Sequence, residues 1–191
     1  MKIKNLESFY DLVEALEKLP SIGKKSAEKM AYMLCVENKA LGIKIAHCIQ
    51  EANLKVCKCK WCGGLSQEEE CQICQDTDRN NGELCIIAHP RDISIIENID
   101  FFNGKYFVLE SLETTDFDHL FALISHHQIK EVIFGLSPSL ANDALILFIE
   151  DRLKHLKLTF SKIAQGVPTG IGLDHIDHLS LSSAFKGRMK I

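Results

Sequence analysis

The sequence predicts an α+β chain built from several modules, and three observations carry that reading. Apolar residues recur at helical spacing from Ser8 to Asn53. Four cysteines in two C-x-x-C pairs then interrupt the chain between Cys59 and Cys74. From Glu83 to Ala164 short apolar runs of strand character alternate with helical stretches.

Over Ser8–Leu19, Phe9, Leu12, Val13, Leu16 and Leu19 fall on one helical face, and Pro20 ends the helix. Ser21-Ile22-Gly23 makes a tight turn. Ser26–Val36 restarts a helix with Ala27, Met30, Ala31, Leu34 and Cys35 inward, and Leu41–Asn53 forms a third through Ile45, Cys48, Ile49 and Ala52. A glycine between two short helices lets a backbone phosphate approach the N–H groups that open the second helix, whose dipole favours an anion. Gly23 holds that position, and Lys24, Lys25 and Lys29 add positive charge beside it. This is how a helix-hairpin-helix holds a phosphate chain without reading bases. The alternative is an ordinary helical hairpin with solvated lysines. A nucleotide-binding P-loop is excluded: Lys18 stands where its first glycine belongs, and Lys25 where Ser or Thr must follow the first lysine.

Cys59-Lys-Trp-Cys62 and Cys71-Gln-Ile-Cys74 are separated by eight mostly polar residues. Two such knuckles supply four thiolates to a tetrahedral ion, so Cys59, Cys62, Cys71 and Cys74 are expected to bind one zinc per chain. With every position filled by sulfur the zinc is structural. An iron–sulfur cluster is the competing reading. Disulfides fit poorly, because Met1–Leu6 shows no secretory signal and a cytosolic setting keeps thiols reduced. Cys57, two residues before the first knuckle, is an alternative ligand, but spacing favours Cys59 and leaves Cys57 the spare thiol; Cys35, Cys48 and Cys85 are expected to be buried.

Strands are expected at Glu83–Ala88, Tyr106–Leu109, Val132–Leu136 and Leu158–Ala164, with helices at Asp92–Ile99, Phe117–His126 and Ala141–His155. Continuous apolar strands alternating with helices predict a parallel sheet covered on both faces. Chemistry in such sheets sits beyond the strand C-termini, here Ala88-His89-Pro90, Glu110-Ser111 and Gly135-Leu136-Ser137-Pro138. These segments bring no carboxylate cluster for magnesium and no glycine-rich fingerprint. His126-His127 reads as a polar helix end.

The 191 residues are 46% hydrophobic, with no apolar run long enough to cross a bilayer. A formal net charge of −4 argues against a protein that coats nucleic acid indiscriminately. The charge is uneven: residues 1–62 carry eleven lysines against seven acids, whereas the remainder carries eleven basic and nineteen acidic residues. Nucleic-acid contact is therefore expected from the N-terminal third.

Along nearly its whole length the chain resembles the RecR family of bacterial recombination mediators. The resemblance rests on Leu19-Pro-Ser-Ile-Gly-Lys-Lys-Ser-Ala27, the four cysteines in order and spacing, and Gly104-Lys-Tyr-Phe-Val-Leu109. It rests also on Ser161-Lys-Ile-Ala-Gln-Gly-Val-Pro-Thr-Gly170, Leu179-Ser-Leu181 and Ser183-Ala-Phe-Lys-Gly-Arg188. It implies a helix-hairpin-helix over 1–54, a four-cysteine zinc finger over 55–77, a Toprim-like α/β domain over 78–165, and a C-terminal segment with a Walker-B-like sequence over 166–191. It also implies a cytoplasmic, nucleoid-associated adaptor rather than an enzyme. Four subunits would form a ring that clamps single- or double-stranded DNA without sequence preference, working with RecO, and often RecF, to load recombinase on single strands. The family's basic DNA contacts fall on Lys25 and Lys29, with Lys24 their neighbour.

The departures lie in the Toprim region. Ala88 replaces the glutamate that ends the first strand, a later acidic position aligns near Ala141-Asn142, and the loop after the second strand is shortened to Glu110–Asp116. These losses argue against phosphoryl chemistry, which needs carboxylates for its ions, and predict that RecF contact is the one altered while RecO is retained. Leu173-Asp174-His175-Ile176-Asp177 lacks the apolar run of a Walker B strand, and Asp174, His175, Asp177 and His178 read as a solvated loop rather than a metal cluster. Two other function classes stay open: a protein–protein scaffold whose partner holds the DNA, and a metal-dependent Toprim-type nuclease.

Overall fold

A computed structural model describes residues 5–109, 116–164, 166–167, 170 and 172–187. The chain divides into two compact units, Met1–Val56 and Cys57–Ile191.

The first unit is helical. Helix α1 (Glu7–Glu17) packs on α2 (Lys24–Tyr32) around Val13, Ala27 and Ala31, with Phe9, Leu12, Leu16 and Ile22 against them. Two alanines at this contact let the helix axes approach closely, since neither carries a side chain beyond Cβ. The link between α1 and α2 turns at Ser21, whose φ is +66°. Beyond Tyr32 the helix widens into a π-helical turn, Met33–Glu37, closed by Asn38 N–H donating to Met33 O at 2.8 Å. Helix α3 (Lys39–Lys55) follows, with the Asn38 side chain accepting from Leu41 N at 3.0 Å.

Two expectations fail here. Cys35 and Cys48 are exposed rather than buried. The π turn adds a residue per turn and carries Cys35 off the α2 inner face. Cys48 lies on α3, none of whose residues is buried; Ile43, Ile49 and Leu54 are all exposed.

The second unit is a parallel sheet with the cysteine module built onto it. Strands β1 (Cys57–Lys58) and β2 (Leu65–Ser66) form an antiparallel pair, followed by the short helix α4 (Gln72–Gln75) and a 3-10 turn at Thr77–Arg79. Then come β3 (Glu83–Ile87), α5 (Pro90–Glu97), β4 (Lys105–Val108), α6 (Phe117–His126), β5 (Glu131–Gly135), α7 (Leu140–Leu153) and β6 (Thr159–Lys162). A 3-10 turn at Leu173–His175 and helix α8 (His178–Lys186) follow. The sheet order is β4-β3-β5-β6, parallel throughout, as the strand–helix alternation predicts.

Alternation along the strands sorts side chains between two layers. Leu84, Ile86, Phe107, Val132 and Phe134 face α6 and α7, where Leu120, Leu123, Ile149 and Leu153 meet them. Cys85, Ile87, Tyr106 and Val108 face the other way, into one cluster with Cys59, Cys62 and Cys74, flanked by Ile93 and Ile96 of α5. The cysteine module is therefore part of the cover of one sheet face. Val108 N–H donates to Cys62 O at 2.8 Å, so the knuckle also satisfies backbone at the free edge of β4. Residues 110–115, which hold most of the loop expected to be shortened at Glu110–Asp116, lie outside the described residues.

Candidate metal centre and nucleic-acid interface

The first knuckle is formed by backbone. Cys59 N–H donates to Gly64 O at 2.7 Å and Gly63 N–H returns to Cys59 O at 3.0 Å, closing a turn in which Gly63 takes φ +71°. A Cβ on Gly64 would lie 3.1 Å from Cys62 Sγ and 2.7 Å from Ile93 Cδ1, so glycine is also what fits there. In the second knuckle Cys71 opens α4, and its carbonyl accepts from Cys74 and Gln75 N–H at 3.0 Å.

The two turns bring the sulfurs of Cys59, Cys62, Cys71 and Cys74 within 4.8 Å of one another, with Cys62 and Cys71 at 3.6 Å. Zinc bound tetrahedrally at ~2.3 Å from each sulfur would set the sulfurs ~3.8 Å apart, so the donor set fits a four-coordinate ion. Gly64 N–H and Cys71 N–H each point at a sulfur, Cys62 and Cys59 respectively, at 3.3 Å. Such bonds favour thiolate over thiol. The thiols of Cys62, Cys71 and Cys74 hold Cys59 well below its ordinary pKa, whereas Cys74, against Cys59, Cys62 and Cys71 and buried, is held well above it. Four thiolates this close repel one another, so a fully ionised set requires a cation among them. Cys57 lies apart: it is exposed and its thiol donates to Glu68 O at 3.3 Å.

Two supports of this centre were not foreseen from sequence. Lys105, the first residue of β4, is 1% exposed, and its ammonium donates to the carbonyls of Ile73, Cys74 and Asp76 at 2.8, 2.9 and 2.7 Å. Burial pushes its pKa down, and the three carbonyls take the place of water. A cation inside an otherwise apolar strand was the available signal. The second support is Trp61, inside the first knuckle. Its indole N–H donates to Glu70 Oε1 at 2.6 Å, and its ring stacks on His126 at 4.5 Å and meets His119 and His127 edge-on. His126-His127 is thus the polar helix end that the sequence suggests, with His126 exposed on the Trp61 ring and His127 buried beneath it. His127 is buried, its Nδ1 lies 3.2 Å from Asn80 Oδ1, and its Nε2 has no hydrogen-bond partner. Burial first, then the neighbouring Lys105 and His126 charges, lower its pKa to about 4.

The chain leaves the module through Arg79. Its guanidinium makes two 2.7 Å bonds to Glu97 on α5 and donates to Gly104 O at 3.1 Å, while Tyr106 O–H donates to Glu97 at 2.6 Å. Arg79 holds the Glu97 carboxyl below its usual range.

At the strand C-termini the backbone is occupied by capping. His89 N–H donates to Asp92 Oδ2 at 3.1 Å, and Ser139 Oγ accepts from Asn142 N at 3.1 Å. Among the described residues the four cysteines are the one group of metal-ligating side chains brought together. Asp174 and His175 pair at 3.4 Å but are both exposed, and Asp177 accepts from Ser180 N at 2.9 Å near the start of α8. Ser161–Gly170 is described only in part, since Gln165, Pro168 and Thr169 lie outside the described residues.

In the first unit, Gly23 precedes α2 in extended conformation, and its carbonyl accepts from Ser26 and Ala27 N–H at 3.0 Å. No side chain caps this helix end, which leaves its first N–H groups directed outward. A Cβ on Gly23 would meet nothing within 4 Å and its φ is −90°, so the fold itself does not demand glycine here. Lys24, Lys25 and Lys29 are all exposed.

A family model described as RecR, helix-hairpin-helix matches residues 9–53. Recombination protein RecR of Helicobacter pylori (strain Shi470) is 50% identical over 186 residues, covering 97% of this chain and 96% of that protein. Recombination protein RecR of Campylobacter jejuni (strain RM1221) is 47% identical over 189 residues, covering 99% of this chain and 100% of that protein. Identity of this depth, across hairpin, cysteine module and parallel sheet alike, means that the chain belongs to the RecR family of recombination proteins.

Proposed function

We propose that this chain is a DNA-binding adaptor of recombinational repair, a ring or clamp that helps load recombinase onto single strands together with RecO. The observation that carries the reading is the α2 terminus: an uncapped helix N-terminus behind a glycine the fold does not require, with Lys24, Lys25 and Lys29 exposed around it. Gly23 then serves close approach of a phosphate, and the lysines supply its counter-charge. One zinc held by Cys59, Cys62, Cys71 and Cys74 gives the 55–77 finger its folded form against the 78–165 Toprim-like domain. The 1–54 hairpin carries the DNA contact, and the 166–191 segment carries no nucleotide site. The adaptor acts without catalysis, because Ala88 and Ala141 stand where metal-binding acids would be needed. It keeps RecO as partner, with RecF contact altered at the same surface. The exposed apolar residues of α3, Ile43, Ile49 and Leu54 among them, support assembly into a homotetramer acting at the nucleoid.

Fluorescence anisotropy against salt, on single- and double-stranded DNA, tests the phosphate assignment. Lys25→Glu with Lys29→Glu should weaken binding at least ten-fold on both and flatten the salt dependence, by ~0.7 in slope for each single-strand phosphate no longer neutralised. Zinc content and melting should be unchanged. Undiminished binding by the pure variant would reject the assignment, and binding seen only when RecO is added would favour the scaffold reading.

A further inference from the structure

Beside the lysines of α2 lies a groove of about 910 Å³ that phosphate binding alone does not use. At about 100° per residue, Lys25, Lys29 and Tyr32 fall within ~60° of one another on the helix, on the side opposite the core-facing Ala27 and Ala31. All three line the groove, and Tyr32 is 50% exposed. Phe9 and Tyr10 of α1 also line the groove and meet edge to face with centroids 5.7 Å apart.

We infer that this groove takes an unstacked base of single-stranded DNA, with the Tyr32 ring as its stacking platform while Lys25 and Lys29 hold the flanking phosphates. The inference rests on the phosphate reading above and adds to it a preference between strands. An aromatic ring about one helical turn beyond two cations is the pairing that single-strand sites use, because every base has a π-face and the backbone runs alongside. A paired base cannot present that face, so the platform rewards only the unpaired strand. Glu28 and Glu37 also line the groove, and their carboxylates can accept from base amino groups.

The test uses the full-length protein and fluorescein-labelled DNA of one length in three forms: single-stranded, duplex, and single-stranded with abasic sites. Tyr32→Ala should weaken single-strand binding about ten-fold and leave duplex affinity and salt slope unchanged, while Tyr32→Phe stays within about two-fold of wild type. Wild type should bind the abasic strand about as weakly as Tyr32→Ala binds the intact one. Circular dichroism, expected to match wild type, confirms that the half-exposed site tolerates the change. Equal loss on single strand and duplex, or no loss on either, overturns the stacking site. A changed mass of Tyr32→Ala in light scattering also overturns it, making the groove an interface between copies. If the lysine pair variant loses binding while Tyr32→Ala does not, the stacking site alone falls. If the lysine variant binds like wild type, the phosphate reading falls and takes the stacking site with it.

Discussion

The hairpin unit buries Val13, Ala27 and Ala31, and leaves a seventeen-residue helix, α3, with no buried residue of its own. The sheet unit buries twelve apolar side chains on one face of β3–β6 and packs its cysteine module against the other. A module with so small a core gains little from burial and holds its helices by close alanine contact. Its surface, with exposed apolar residues on α3 and exposed lysines on α2, is available for binding. The sheet unit instead contains polar groups satisfied inside it: Lys105 on three carbonyls, Arg79 on Glu97, Trp61 on Glu70. The two units thus differ in how they are held together rather than in how much apolar surface they expose: Phe101 and Leu140 of the sheet unit are as open as Leu54 of α3.

The largest expected effect separates the two. Cys62→Ser should lose the metal and destabilise residues 57–187 by several kcal/mol, bounded by the ~10–16 kcal/mol that structural zinc supplies to isolated fingers. Hydrogen exchange should show protection collapsing in β3–β6 and persisting across α1 and α2, with metal analysis identifying the ion as zinc or iron. Collapse in both regions would break the comparison. Lys105→Met comes next. It removes the donor shared by the Ile73, Cys74 and Asp76 carbonyls, of which Asp76 O still accepts from Arg79 N–H at 3.4 Å, so a loss of about 2 kcal/mol in urea unfolding is expected, with faster release of the metal to a chelator. The smallest effect is a pH dependence confined to the sheet unit. His127 titrates near 4 in the fold and about 6.5 when unfolded. Only the unfolded chain binds its proton between those values, so this contribution is intact above pH 6.5 and is lost as pH falls toward 4. Its slope is at most ~1.4 kcal/mol per pH unit. Wild type and His127→Gln, compared with excess zinc throughout, should differ in that slope and converge in slope above pH 7.

The elements were legible from apolar spacing because the sheet is buried on both faces, and Phe117–His126 falls where its periodicity places it. The four cysteines were legible for a related reason: each pair closes on itself through a local turn. Burial of Cys35 and Cys48 was misjudged because periodicity reports an apolar face without reporting what covers it. The π turn at Met33–Glu37 adds a rotation that residue spacing does not show. Lys105, Arg79 and the histidines around Trp61 escaped for the opposite reason. Their partners lie between 18 and 66 residues away in sequence, and polar residues read as solvated until the fold brings them together.

Trp61 is the single tryptophan of the chain, and it lies at the junction between the cysteine knuckle and α6. Intrinsic emission excited at the indole band therefore has one source, within a few ångströms of the metal ligands and flat against an imidazole. Loss of the metal should be visible as a change in that emission without any label. The chain thus carries its own optical reporter of the cysteine module.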